Sequence, residues 1–141
     1  MASCTLFGHR DCPDSIRPKL HAALISLIEE GVDTFYLGNQ GRFDAMAYAE
    51  LAKLAEDHPR IRFGVVLAYL PGEGEEEIPR SLFPEGMEGV PRRFAISRRN
   101  RWMIRRSDCV LASVTHPWGG AAQSVAMARR KGKRIIDLSA E

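Results

Sequence analysis

The sequence predicts an α/β protein: a single-domain, Rossmann-like open sheet, mostly parallel, of five strands with helices on both faces. Three observations carry this reading. Apolar runs of strand length alternate with longer amphipathic stretches, several runs end in glycine-rich turns, and 141 residues leave room for one core and little else. Strands that alternate with helices pair in parallel through right-handed crossovers, which distributes the helices over both faces.

The first strand is Cys4-Thr5-Leu6-Phe7, stopped by Gly8. A helix follows, with Asp14 or Ser15 as N-cap, Pro18 in its first turn, Leu20, Leu24, Leu27 and Ile28 at helical spacing, and Gly31 closing it. Thr34 to Leu37 forms the second strand, and a helix from about Phe43 to Glu56 carries Ala47, Leu51, Leu54 and Ala55 on one face. Arg62 to Leu70, centred on Val65-Val66-Leu67, is the third strand. Pro71 to Pro91 is a Gly/Pro/Glu-rich loop of a length that is usually functional or mobile inside a compact domain. A helix over Ala95–Arg106, a strand at Cys109–Ala112, a helix over Gly120–Lys131 ended by Gly132, and a strand at Arg134–Leu138 complete the chain.

Composition narrows the function classes. Hydrophobic residues make up 45% of the chain and charged residues 27%, which excludes wholesale disorder, a collagen-like fibre and a disulfide-stapled miniprotein. A net charge of +2 argues against an indiscriminate polyanion binder while leaving room for a local basic patch. Of the three cysteines, Cys4 and Cys109 sit in apolar runs and are expected to be buried, Cys12 lies in a polar turn, and there is no CxxC. The four histidines lack metal-ligand spacing, so neither a metal nor a cofactor is expected. With no basic leader, no cleavage pattern and no apolar stretch near the roughly 20 residues of a membrane helix, the expectation is a soluble cytoplasmic protein without a membrane partner.

In open parallel sheets, ligands bind outside the carboxyl ends of the strands. Three exits here are polar and glycine-rich: Gly8-His9-Arg10, Gly38-Asn39-Gln40-Gly41-Arg42-Phe43-Asp44 and Thr115-His116-Pro117-Trp118-Gly119-Gly120. Glycines let an anion approach the backbone, and helix N-termini favour phosphate or carboxylate. Each loop alone is explained by the needs of a tight turn; three at one sheet edge point to a shared phosphate-bearing ligand. There is no GxxxxGK[ST], no GxGxxG after the first strand and no GxSxG elbow. His21 and His58 are expected at the surface, whereas His9 and His116 fall in exit loops, as ligand contacts or as solvated residues. Tyr36, Phe43 and Trp118 are the aromatics near the exits, available to stack on a base or to pack.

In the helix around residue 100, Ile96, Arg99, Asn100, Met103 and Ser107 share a face. Ile96 and Met103 turn that face inward, which leaves Arg99 in need of a carboxylate of the fold or an anionic ligand. Arg98, Arg101 and Arg105 fall on a different, solvated face.

The order and spacing of these motifs resemble the SLOG superfamily of Rossmann-like domains, named for the DNA-processing protein DprA (Smf) and the LOG enzymes, and within it the small bacterial YpsA-related branch. The likeness spans nearly the whole chain and rests on Gly8-His9-Arg10, Gly38 to Asp44, Arg99-Asn100 and Gly119-Gly120. The resemblance implies a nucleotide or nucleotide-derived ligand at the strand ends, in a sensor or a nucleotide-processing protein, and a homo-oligomer. The implied ligand set is Gly8, His9, Arg10, Gly38, Asn39, Gln40, Gly41, Asp44, Arg99, Asn100, Thr115, Gly119, Gly120 and Gln123.

LOG enzymes hydrolyse the N-glycosidic bond of nucleoside monophosphates, and carry Arg-Lys-x-x-Met and Pro-Gly-Gly-x-Gly-Thr-x-x-Glu. Arg99-Asn100-Arg101-Trp102-Met103 follows the first motif with Asn100 in place of lysine. Matching Gly119-Gly120 to the Gly-Thr of the second sets Gln123 where the catalytic glutamate belongs. An amide neither stabilises an oxocarbenium-like state by charge nor activates water, so hydrolysis ranks below binding and no catalytic residue is assigned. Asp11 and Asp44 are the carboxylates that could substitute, although Asp44 is read first as a cap of the second helix. A third reading is single-stranded DNA binding as in DprA. Seven arginines fall between Arg92 and Arg106, interleaved with Phe94 and Trp102. The expectation preferred over it is a solvated face that pairs with the acidic Glu73–Glu88 loop.

Overall fold

The computed structural model describes residues 2–139. Strands β1 (Ala2–Gly8), β2 (Val32–Leu37), β3 (Arg62–Val66), β4 (Ser81–Leu82), β5 (Cys109–Ser113) and β6 (Arg134–Asp137) form one sheet in the order β4-β3-β2-β1-β5-β6. Every pairing in it is parallel. Helices α1 (Arg17–Glu29), α2 (Arg42–Asp57), α3 (Arg92–Arg106) and α4 (Gly120–Arg130) make the crossovers, with a short 3-10 turn at Asp14–Ile16.

Alternation along the strands explains the layering. Cys4, Leu6, Phe35, Leu37, Phe63, Val65, Cys109 and Leu111 join Leu20, Leu24 and Leu27 of α1 and Phe43, Ala47, Leu51 and Leu54 of α2 in one core. Phe7, Val66, Val110 and Ala112 point to the other face and meet Met103 and Ile104 of α3 with Val125 and Ala128 of α4. The buried-face residues of β1 and β5 thus alternate between two separate helix layers.

Several expectations need correction. The sheet has six strands, because Ser81–Leu82 inside the long loop adds an edge strand on Val65 and Val66. Two residues are too few to give a periodicity from which to read a strand. The third strand ends at Val66 rather than Leu70: the chain bends at Ala68-Tyr69 to pack Ala68 against Met87 and Ala95. The third helix starts at Arg92, three residues early, because Pro91 fixes the entry and accepts the Phe94 amide at 2.8 Å. Among the described residues no side chain caps α1, and Asp14 sits in the 3-10 turn ahead of it. Cys12 is buried, its Sγ 3.7 Å from Ser113 Oγ.

The chain climbs outward from β1 to β4, then crosses back to lay β5 against the other side of β1. The strand order, not the strand direction, reverses at β1/β5, where an open α/β sheet leaves a crevice at its carboxyl edge. Gly8 faces Ser113 across that pair, which sets the two exit loops side by side. Gly8 also admits the fully buried Phe43 of α2: a Cβ at residue 8 would overlap the Phe43 ring. Gly8→Ala is therefore expected to destabilise the fold by about 3 kcal/mol in a urea melt, the upper end of ordinary overpacking. An unchanged midpoint would show that α2 yields freely at this contact.

Candidate functional site

A cleft of about 470 Å³ opens at the β1/β5 crossing, a size suited to a small organic ligand. Its floor is the end of β1, and its walls are the three exit loops, the inward face of α3 and the start of α4. Of the expected ligand residues, Gly8, His9, Arg10, Gly38 and Gln40 line it, together with Asp44, Arg99, Asn100, Gly119 and Gly120. Asn39, Gly41, Thr115 and Gln123 lie outside the lining. Gln123 is exposed on α4, so Asp11 and Asp44 are the carboxyl groups in the cleft wall.

Arg99 is only 3% exposed, yet its partners are neutral. Nε donates to Asn100 Oδ1 at 2.7 Å, Nη1 to the Val66 carbonyl at 2.8 Å, and Nη2 to Gln40 Oε1 at 2.7 Å. The described ion pairs are Arg17–Glu50, His21–Glu50, Arg42–Asp14 and Arg134–Glu30. Arg99 thus has no carboxylate within ion-pair distance among the described residues. Burial pulls its pKa down, opposed by the nearby Asp44 carboxyl. The guanidinium is locked in one orientation by three acceptors, with its charge uncompensated at contact distance.

Asp44 is also buried, at the third position of α2, and accepts the Gln40 amide at 2.9 Å. Asp44 is thus not the N-cap expected from sequence: Gly41 holds that position with no side-chain cap bond, and Asp44 ties the preceding loop to the first turn of α2 through the Gln40 amide. Burial pushes its pKa up to about 6, against the lowering effects of the Gln40 amide, Arg99 and Arg10. Gly38 makes this packing possible: a Cβ there would come 2.9 Å from Arg99 Nη1 and 3.0 Å from Asp44 Oδ2.

Two helices start at the cleft in the same way. Gly41 caps α2 at φ +94° and Gly119 caps α4 at φ +95°, neither with a side-chain hydrogen bond. Gly41 is required by contact as well, since a Cβ would lie 2.5 Å from Arg10 Cα. At α4 the first helical bond is Gln123 N–H to the Gly119 carbonyl at 3.1 Å. The amides of the preceding turn are therefore free to face an anion, with the helix dipole behind them.

The opposite wall is aromatic. His9, buried at 7% exposure, stacks on His116 with centroids 3.6 Å apart, and His116 stacks on Trp118 at 4.0 Å. His9 Nε2 accepts the amides of Thr115 at 3.0 Å and His116 at 3.4 Å. Burial, then the neighbouring His116, holds its pKa below the ordinary value, in keeping with a ring that must stay neutral to accept. Trp118 ends the column with 66% of its surface exposed. His116 Nδ1 is buried without a hydrogen-bond partner among the described residues. Sequence reasoning missed this column, for which the only signal was a histidine in each of two loops that β1–β5 pairing brings together. Phe43 is fully buried and Tyr36 packs edge-on against Trp102, so of the aromatics singled out Trp118, stacked on His116 by one face, is the one left largely exposed.

The expected pairing of the α3 arginines with the acidic loop is absent among the described residues. Arg92 lies over Tyr69, Arg93 over Phe94 and Arg106 over Trp102, at 4.0, 4.8 and 4.7 Å. Two loop carboxylates bond their own turns instead: Glu75 takes the Gly72 amide and Glu88 the Gly86 amide. Among the described residues no group of three or more His, Cys, Asp or Glu side chains is arranged to hold a metal, and no helix is long and apolar enough to cross a membrane.

No protein-family model matches the chain. A UPF0398 protein of Halalkalibacterium halodurans is 25% identical over 108 residues, covering 68% of this chain and 57% of that protein. DNA processing protein A (DprA) of Streptococcus pneumoniae superposes with a TM-score of 0.72 at 14% identity, over 97% of this chain and 50% of that one. DprA of Helicobacter pylori, whose structure concerns a single-stranded DNA binding mode, gives 0.70 at 14% identity, over 96% and 64%. The chain therefore has the Rossmann-like fold found in DprA, and it spans half to somewhat under two thirds of the length of these relatives.

Proposed function

We propose that the cleft binds a nucleotide or nucleotide-derived ligand, with its phosphate between the α4 N-terminus and Arg99 and its base on Trp118, in a sensor or a nucleotide-processing protein. The observation that carries this is Arg99: a buried guanidinium, oriented by three neutral acceptors and without a carboxylate at contact distance, in the wall of an open cleft. A bound anion would supply the missing charge. The narrower assignment to the YpsA-related branch rests on motif order alone and belongs to this reading. So does a cytoplasmic setting, which three free thiols suit.

Trp118 gives a direct test. Stacking a base on an aromatic contributes about 1–3 kcal/mol, so Trp118→Ala is expected to weaken a nucleoside monophosphate by roughly 5- to 150-fold while leaving inorganic phosphate unaffected. Calorimetric titration of both ligands reads this. Equal losses for the two would remove the base from Trp118.

A second reading is that the nucleotide unit belongs to single-stranded DNA. The exposed ring of Trp118 at the cleft mouth favours it, since a base stacked there stays open to its neighbours in a strand. The likeness to H. pylori DprA adds the precedent of a single-strand binder on this fold. Salt-dependent retention of a short oligonucleotide, competed by a mononucleotide, would support it; no retention at low salt would exclude it.

A further inference from the structure

The outer face of α3 is unexplained by the cleft. Phe94, Arg98, Arg101 and Arg105 recur at i, i+4, i+7 and i+11 and form one outward stripe, turned away from Arg99. Like charges at these spacings repel, and no carboxylate stands within ion-pair distance of them among the described residues. Phe94 at the head of the stripe is 51% exposed. Beside the stripe, Arg98, Arg101, Trp102 and Arg105 border a groove of about 120 Å³ with the turn at Glu85, Gly86 and Met87.

The same surface carries the opposite pattern. Leu70 is 63% exposed, and Glu73, Glu75, Glu76 and Glu77 follow it, all exposed and none in an ion pair among the described residues. The two segments are neighbours, because Arg92 at the start of α3 stacks on Tyr69, the residue before Leu70. Both run from an apolar residue into a series of like charges. Phe94 to Arg105 spans about 16 Å of helix; Leu70 to Glu77, folded here by the Gly72–Glu75 turn, would reach roughly 23 Å once that turn opens on association.

We propose that two copies of this chain associate through this surface, the Leu70–Glu77 segment of each lying along the Phe94-Arg98-Arg101-Arg105 stripe of the other. A two-fold axis brings each patch onto its complement, so one surface supplies both halves of the contact. Leu70 and Phe94 form the apolar centre, and the glutamates neutralise a stripe that is left unpaired within one copy. A second copy is favoured over another acidic partner because both complementary segments are on the same chain and the net charge of +2 leaves little long-range repulsion between copies.

The test uses charge reversal on both sides, read as mass by light scattering at low ionic strength. Wild type is expected near twice 15.8 kDa, falling towards the single-chain mass at high salt. Arg98→Glu/Arg101→Glu/Arg105→Glu and Glu75→Lys/Glu76→Lys/Glu77→Lys are each expected to be monomeric, with circular dichroism showing that they are folded. Mixed in equal amounts they should restore a heterodimer, since one contact is then native and the other fully reversed. A monomeric wild type, a dimeric single variant, or a mixture of folded variants that stays monomeric would overturn the proposal. So would α3 arginines that retain an oligonucleotide while the wild type remains monomeric, which gives the face to nucleic acid. None of the substituted residues lines the nucleotide cleft, so nucleotide affinity in these variants reports on that site separately.

Discussion

Arg99→Gln is expected to lose roughly 10- to 150-fold in affinity for a nucleoside monophosphate. A hydrogen bond to a charged group is worth about 1.5–3 kcal/mol, which converts to that range. Arg99 also organises the cleft, since its fork joins Val66 at the end of β3, Gln40 in the β2–α2 loop and Asn100 on its own helix. Removing it leaves acceptors from two neighbouring elements short of donors, so stability should fall by about 1–3 kcal/mol. Arg99→Lys separates the roles: it keeps the charge but not the fork. It should retain more of the phosphate affinity than glutamine while losing a similar amount of stability. Unchanged affinity in a folded Arg99→Gln would show that the phosphate, if bound, does not rely on this guanidinium.

Asp44→Asn is expected to stabilise the protein at neutral pH and to strengthen anion binding. The folded carboxyl has a pKa of about 6 against an ordinary 3.8, with burial as the main cause. Between those values the folded state holds a proton that the unfolded chain has released. Stability therefore falls as pH rises from about 4 to about 6 and stays lower above that. Two pKa units correspond to about 3 kcal/mol. The asparagine keeps an oxygen for the Gln40 amide and carries no charge to bury. Its gain should be up to about 3 kcal/mol at pH 7.5 and close to none at pH 4, read by urea melts at both pH values. In the wild type, a phosphodiester, which does not titrate in this range, should bind more tightly as pH falls through 6. Destabilisation by Asp44→Asn at pH 7.5 would mean that attraction to Arg99 and Arg10 outweighs the burial of the carboxylate.

Much of this architecture was legible because parallel strands buried on both faces leave continuous apolar runs. Thr34 to Leu37 and Cys109 to Ala112 lie within strands of the sheet as expected. The inward turn of Arg99 and Asn100 also followed from the spacing of Ile96 and Met103. The edge strand Ser81–Leu82 had no such signal, since its hydrogen bonds depend on how a long loop returns to β3. The His9–His116–Trp118 column was illegible for a related reason: its rings meet only because β5 returns beside β1, a fact of topology rather than local pattern. Aligning Gly119-Gly120 by motif brought in Gln123, but the fourth residue of α4 already turns away from the cleft. The pairing of α3 with the acidic loop failed because opposite charge near in sequence does not fix direction. The loop spends Glu75 and Glu88 on its own turns.

If Arg99 and the α4 N-terminus hold the phosphate of a nucleotide, the phosphate must carry much of the binding. The most direct measurement is calorimetric titration of wild type with a nucleoside monophosphate and with the same nucleoside lacking phosphate. The expected result is at least tenfold tighter binding of the nucleotide, with the difference removed by Arg99→Gln. Equal binding of both ligands, or binding of neither across the purine and pyrimidine series, would contradict it.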